Sequence, residues 1–137
     1  MSAFLWSARV YWEDTDAGGI VYYANYLRFM ERARSEWLRT RGVAQRTLAL
    51  ETGVLFSVVS VQARYRRPAR LDDQIVISCE PRRDGATMVF DQRIWRDSPQ
   101  GELLLEGAVS VACLDAATLR PRRLPEFIIR DLNQEAN

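Results

Sequence analysis

From residue 24 to 41 the apolar side chains Tyr26, Leu27, Phe29, Met30, Ala33, Trp37 and Leu38 recur at steps of three and four. Arg28, Glu31, Arg32, Arg34, Ser35 and Arg39 fall between them on the other side. That period predicts a helix with one apolar stripe, and Gly42 stands where such a helix ends. A shorter helical segment over 44–51 closes at Gly53. Beyond it the period changes from helical to alternating. Residues 54–67, rich in valine and aromatic side chains, predict a long strand stopped by Pro68. Residues 74–81 alternate Ile75, Ile77 and Cys79 against Val76, Ser78 and Glu80, and Asp84-Gly85 is a two-residue hairpin signal leading into a returning strand over 87–96. Ser98-Pro99-Gln100-Gly101 predicts the next turn and 103–114 a last long strand. A short strand over 9–13 and a helical turn near 126–132 complete the reading.

One long early helix followed by extended strands joined by tight turns makes an α+β domain, an antiparallel sheet packed on a helix. A single helix covers one face of such a sheet and leaves strand edges open, so a homo-oligomer is expected. The length of 137 residues suits one domain, 1–137, and no internal repeat, linker or low-complexity segment divides it.

Composition narrows the class. At 47% apolar and 27% charged residues the chain is globular rather than disordered. No run approaches the length of a membrane span, and no basic region followed by an apolar block marks a signal peptide. Cys79 and Cys113, each inside an apolar run, read as buried free thiols, which points to a cytoplasmic protein. A net charge of +1 argues against a nucleic-acid partner. All 19 basic residues are arginine, grouped at 64–70, 82–83 and 120–123, and guanidinium groups match phosphate oxygens bidentately.

The chemistry-bearing stretch is Glu13-Asp14-Thr15-Asp16-Ala17-Gly18-Gly19-Ile20-Val21-Tyr22-Tyr23-Ala24-Asn25-Tyr26, in a chain without histidine. A helix N-terminus supplies partial positive charge and free N–H donors for a developing oxyanion, so a carboxylate beside it supports acyl transfer to water. The residues alone equally allow Asp14 or Asp16 to cap or order the turn. Gly18 and Gly19 permit a backbone turn and also a close approach of a substrate. Without histidine no Ser-His or Cys-His nucleophile pair is available, and two distant cysteines make no metal site. Thioester hydrolysis escapes this shortage, because a thiol with a pKa of about 8.5 departs as thiolate without a general acid.

That stretch, the following Leu27-Arg28-Phe29-Met30-Glu31-Arg32-Ala33-Arg34 and the later Arg67-Pro68-Ala69-Arg70-Leu71-Asp72-Asp73 resemble the acyl-CoA thioesterases of the 4-hydroxybenzoyl-CoA thioesterase class. Within that class the chain is most similar to the bacterial branch associated with the Tol-Pal envelope system, over roughly residues 9–125. The resemblance implies a hotdog fold, a long helix wrapped by a curved antiparallel sheet of about five strands, with dimers or tetramers and active sites at the subunit interface. It implies Asp16 as general base or nucleophile and the backbone N–H near Tyr23 as the group that polarises the thioester carbonyl. Gly19, Ile20, Val21, Asn25 and Tyr26 are the expected pocket residues. Many members of the branch carry histidine at the position of Tyr23 and tyrosine at that of Trp12, so Tyr23 is expected to act through its amide.

Coenzyme A carries phosphates and an adenine, and Arg64, Tyr65, Arg66 and Arg67 lie on the strand that the family places near the cleft. Strand alternation puts Arg64 and Arg66 on one face and Tyr65 and Arg67 on the other. The expected activity is hydrolysis of short-chain or aromatic acyl-CoA, or of acyl carrier protein thioesters, with coenzyme A as part of the substrate and no cofactor. The alternative is a non-catalytic acyl-CoA or acyl-carrier-protein binding subunit linked to envelope assembly. A hotdog dehydratase normally relies on a histidine that this chain lacks.

Overall fold

The computed structural model describes residues 3–135. Five strands form one antiparallel sheet: β1 (Phe4–Arg9), β2 (Val54–Tyr65), β3 (Gln74–Asp84), β4 (Thr87–Arg96) and β5 (Leu103–Asp115). Their spatial order is β1-β3-β4-β5-β2, which leaves β1 and β2 at the edges. Helix α1 (Asn25–Thr40) packs on one face, α2 (Gln45–Thr52) leads into β2, and α3 (Glu126–Glu135) closes the chain. The expected α+β architecture of a long helix against a five-stranded sheet is thus observed.

The core lies between α1 and the sheet. Phe29, Met30, Ala33 and Trp37 are sealed from solvent together with Ile75, Ile77, Phe90, Ile94 and Leu105. Trp37 and Phe90 meet edge to face with ring centroids 5.6 Å apart, which fixes the helix over β4. Ile128, Ile129 and Leu132 of α3 join the same cluster.

Three elements differ from the sequence reading, each for a local reason. The first strand spans Phe4–Arg9 rather than 9–13, because Phe4, Trp6 and Ala8 alternate toward the core while Trp12–Asp14 coil into a 3-10 turn. Strand β3 continues through Pro81 to Asp84; past Cys79 it has no strand partner on that side among the described residues, and a residue without an N–H is accommodated there. Arg34, expected on the polar side of α1, is buried. It stands four residues after Met30 and three before Trp37, which places it within the apolar stripe.

The pairing of β2 with β5 decides which side chains of β2 face the helix. The register shifts between Val58, opposite Val111, and Ser60, opposite Ser110, so Val59 is an extra residue in β2. Because of that bulge Val58 and Tyr65, an odd number of residues apart, both pair with core-facing residues of β5, Val111 and Leu105. Arg64 pairs with Glu106 on the opposite face. Gly107 allows the two strands to close: a Cβ there would stand 2.3 Å from the Gln62 carbonyl oxygen.

Candidate active site

The loop between the 3-10 turn and α1 is held by its own side chains. Asp14 is buried and accepts two hydrogen bonds at 2.8 Å, from the Tyr11 amide and from the Asn25 side chain. It ties the entry of the loop to the first turn of α1. Asp16 behaves differently: it is exposed, and one carboxylate oxygen accepts from the Gly18 amide at 2.8 Å. The other has no partner among the described residues. The Asp16 amide donates to the Ile20 carbonyl at 2.9 Å, the Gly19 amide to the Asp16 carbonyl at 3.0 Å, and Thr15 bridges to Val21. Gly19 takes φ +78° to close this turn, a conformation that side chains other than glycine rarely adopt. The loop projects the Asp16 carboxylate outward.

The second segment of the family resemblance is the support beneath this loop. The Val21 amide donates to the Ala69 carbonyl at 2.9 Å, the Leu71 amide to the Gly19 carbonyl at 3.3 Å, and Ile20 bridges to Arg70. The Ala69 amide donates to the Tyr26 hydroxyl at 3.0 Å. Arg96 clamps the segment from β4 through Asp73, the Pro68 carbonyl at 2.8 Å and Glu102 at 3.0 Å.

Among the described residues no side chain caps the N-terminus of α1. The Tyr22 carbonyl accepts from the Asn25 amide at 2.8 Å, and the Tyr23 carbonyl accepts the Tyr65 hydroxyl at 2.7 Å. In a trans peptide the N–H points opposite to the C=O, so holding these two carbonyls also aims the Tyr23 and Ala24 amides. Neither amide has a partner among the described residues. Two directed, free donors therefore stand at the positive end of a 16-residue helix. Burial, with the Tyr23 phenol nearby, pushes the Tyr65 hydroxyl above its ordinary pKa and keeps it a donor. Trp12, Tyr22 and Tyr23 are exposed beside this end, the Tyr22 and Tyr23 rings 4.9 Å apart.

The expected site residues separate into groups. Asp16, Gly19, Ile20, Val21 and Tyr23 share the loop. Asn25 and Tyr26 are buried, Asn25 on Asp14 and Tyr26 on Ala69 and edge-on to Tyr65, ring centroids 5.3 Å apart, so both brace the loop. Tyr65 joins them from β2, while Arg64 lies on the far face of the sheet. Arg66 pairs with Glu106 at 2.6 Å, which lowers the Glu106 pKa. Arg67 is exposed just beyond the strand. Sequence reasoning missed the Ala24 amide, the Arg96 clamp and the Tyr65 contact. The first two carry no sequence signal; the third needed the strand pairing.

Among the described residues no helix is long and apolar enough to cross a membrane. Residues 18–102 match the profile of the Thioesterase superfamily. The chain is 44% identical to the acyl-CoA thioester hydrolase YbgC of Escherichia coli over 132 residues, 96% of each protein. It is 35% identical to a probable thioesterase from Bartonella henselae, covering 90% of this chain and all of that one at a TM-score of 0.82. A 1,4-dihydroxy-2-naphthoyl-CoA thioesterase from Synechocystis shares the fold at a TM-score of 0.87 over 99% of each chain, at 18% identity. An exposed carboxylate, two free amides at a helix start and these matches lead to one assignment: the chain is an enzyme that belongs to the thioesterase superfamily.

Proposed function

We propose that this enzyme hydrolyses acyl-CoA thioesters of short-chain or aromatic acids to the free acid and coenzyme A, with Asp16 as its catalytic carboxylate. The observation that carries the reading is the pair of free Tyr23 and Ala24 amides on the same loop as the exposed Asp16. The thioester oxygen sits on these donors, which stabilise the negative charge as the carbonyl carbon becomes tetrahedral. As general base, Asp16 takes a proton from the attacking water; as nucleophile, it forms an anhydride that water then opens. In both cases the C–S bond breaks and the sulfur leaves as thiolate, so no acid is required.

Asp14 and Tyr65 are positioning residues in this scheme, because they hold the peptide groups that carry the donors. Arg67, exposed just beyond β2, is a better candidate for coenzyme A phosphates than Arg66, which is held by Glu106, or Arg64, which lies on the far face of the sheet. The unpaired edge of β2, with Val58, Val59 and Val61 exposed, favours pairing with a second copy.

The test is thiol release from a panel of acyl-CoA and acyl carrier protein thioesters by wild type and Asp16→Asn. Loss of turnover with binding retained supports the scheme. Binding without turnover by wild type supports a non-catalytic binding subunit instead.

A further inference from the structure

The peptide group between Pro68 and Ala69 is held by two side chains at once. Its carbonyl accepts from the Arg96 guanidinium at 2.8 Å, and its N–H donates to the Tyr26 hydroxyl at 3.0 Å. In a trans peptide these two groups point in opposite directions, so Arg96 from the end of β4 and Tyr26 from the first turn of α1 fix its plane between them. Both of its hydrogen-bonding groups are taken.

Arg96 reaches further along the same segment. The nitrogen that meets Pro68 also donates to the Glu102 carboxylate at 3.0 Å, and the other terminal nitrogen pairs with Asp73. The same Asp73 oxygen accepts the Arg70 amide at 2.8 Å. One guanidinium thus holds residues 68–73 at both ends, and a side-chain exposure of 24% shields it in part from bulk water. Three acceptors in fixed directions suit the planar fork of arginine and not the single ammonium of lysine.

What this segment carries is the Asp16 loop. The Ala69 carbonyl and the Leu71 amide pair with Val21 and Gly19, and Ile20 between them turns its own carbonyl to the Asp16 amide. Neither residues 16–23 nor residues 68–73 belong to the five-stranded sheet. A displacement at Pro68 therefore passes to Asp16 through paired backbone, with no strand or helix between them to absorb it.

We propose that Arg96 is a positioning residue of the thioesterase reaction: with Tyr26 it fixes the Pro68–Ala69 peptide and, through it, the loop that presents Asp16. The part given to Asp16 rests on the proposed function; the dependence of the loop on Arg96 does not.

The experiment compares wild type, Arg96→Ala, Arg96→Lys and Asp16→Asn by steady-state thiol release and by amide hydrogen exchange. The substrate is the acyl-CoA thioester that wild type turns over fastest. In both Arg96 variants kcat should fall by about tenfold to a hundredfold with KM within about twofold of wild type, since misplacing a catalytic group costs rate rather than binding. The Val21 and Leu71 amides should exchange faster by about tenfold or more, while those of Ile77 and Ile94 in the sheet keep their wild-type rates. Arg96→Lys retains the charge without the fork and decides the matter where Arg96→Ala does not fold. Asp16→Asn should lose turnover with Val21 and Leu71 exchanging as in wild type; an Asp16→Asn that still turns over ends the reading of Asp16 and leaves that of Arg96 standing. Wild-type kcat in the Arg96 variants, a change confined to KM, unaltered Val21 and Leu71 exchange, or equal acceleration of the sheet amides overturns the proposal.

Discussion

The Tyr65 hydroxyl donates to the Tyr23 carbonyl at 2.7 Å, joining β2 to the start of α1 across 42 residues of chain. Because that carbonyl shares its peptide plane with the Ala24 amide, the bond sets the direction of a proposed oxyanion donor. Tyr65→Phe keeps the ring contact with Tyr26 and removes only the hydroxyl. The expected result is a fall in kcat of about tenfold with KM little changed, a smaller loss than deleting a donor outright. Steady-state thiol release on a good acyl-CoA substrate measures it. A change confined to KM would assign Tyr65 to substrate contact instead.

Asp14 and Asp16, two residues apart, should respond oppositely to removal. Asp14→Ala leaves the Tyr11 amide and the buried Asn25 side chain without their acceptor, at about 3 kcal/mol of stability. Asp16→Ala removes one exposed contact with the Gly18 amide and should stay within about 0.5 kcal/mol of wild type while turnover is lost. Urea unfolding of both variants beside activity assays separates the roles, and equal destabilisation would make Asp16 another structural aspartate.

Gly107→Ala tests the closeness of β2 to β5. The added methyl meets the Gln62 carbonyl at 2.3 Å, and the contact is with backbone, which no rotamer change relieves. A loss of about 1–3 kcal/mol is expected, with the strands forced apart beside Tyr65. A melting temperature equal to that of wild type would show that the strand pair yields without strain.

How far the molecule was legible in its sequence depends on the range of the interaction involved. The stripe Phe29, Met30, Ala33, Trp37 and the alternation Ile75, Ile77, Cys79 are local periodicities, and the elements they announce are all present. Arg34 sits in the same stripe, but its polarity hid its position, since its hydrogen-bond partner, Gln92, lies 58 residues away in sequence. The Asp16 loop stood out through its glycines. Its support by Ala69, Arg96 and Tyr65 comes from strand pairing over long separations, and the bulge at Val59 that turns Tyr65 toward the helix has no composition signal.

Cys79 offers a prediction about alkaline pH. The thiol is buried in β3, and burial pushes its pKa up to about 12, with the Arg34 guanidinium pulling down and Glu80 pushing further up. An unfolded cysteine ionises near about 8.5. The folded value is the higher one, so the unfolded chain releases the proton first. Stability is then complete below about pH 8.5 and declines as pH rises toward 12. Each pH unit in that window costs about 1.4 kcal/mol, so between pH 8.5 and 10 wild type should lose about 2 kcal/mol more than Cys79→Ala, which has no proton to release. Urea unfolding of both proteins at the two pH values reads the difference directly. Parallel losses in the two would mean that the thiol reaches water in the native state, and native Cys79 would then also react promptly with an aromatic disulfide reagent at pH 8, where a sealed thiol stays unmodified.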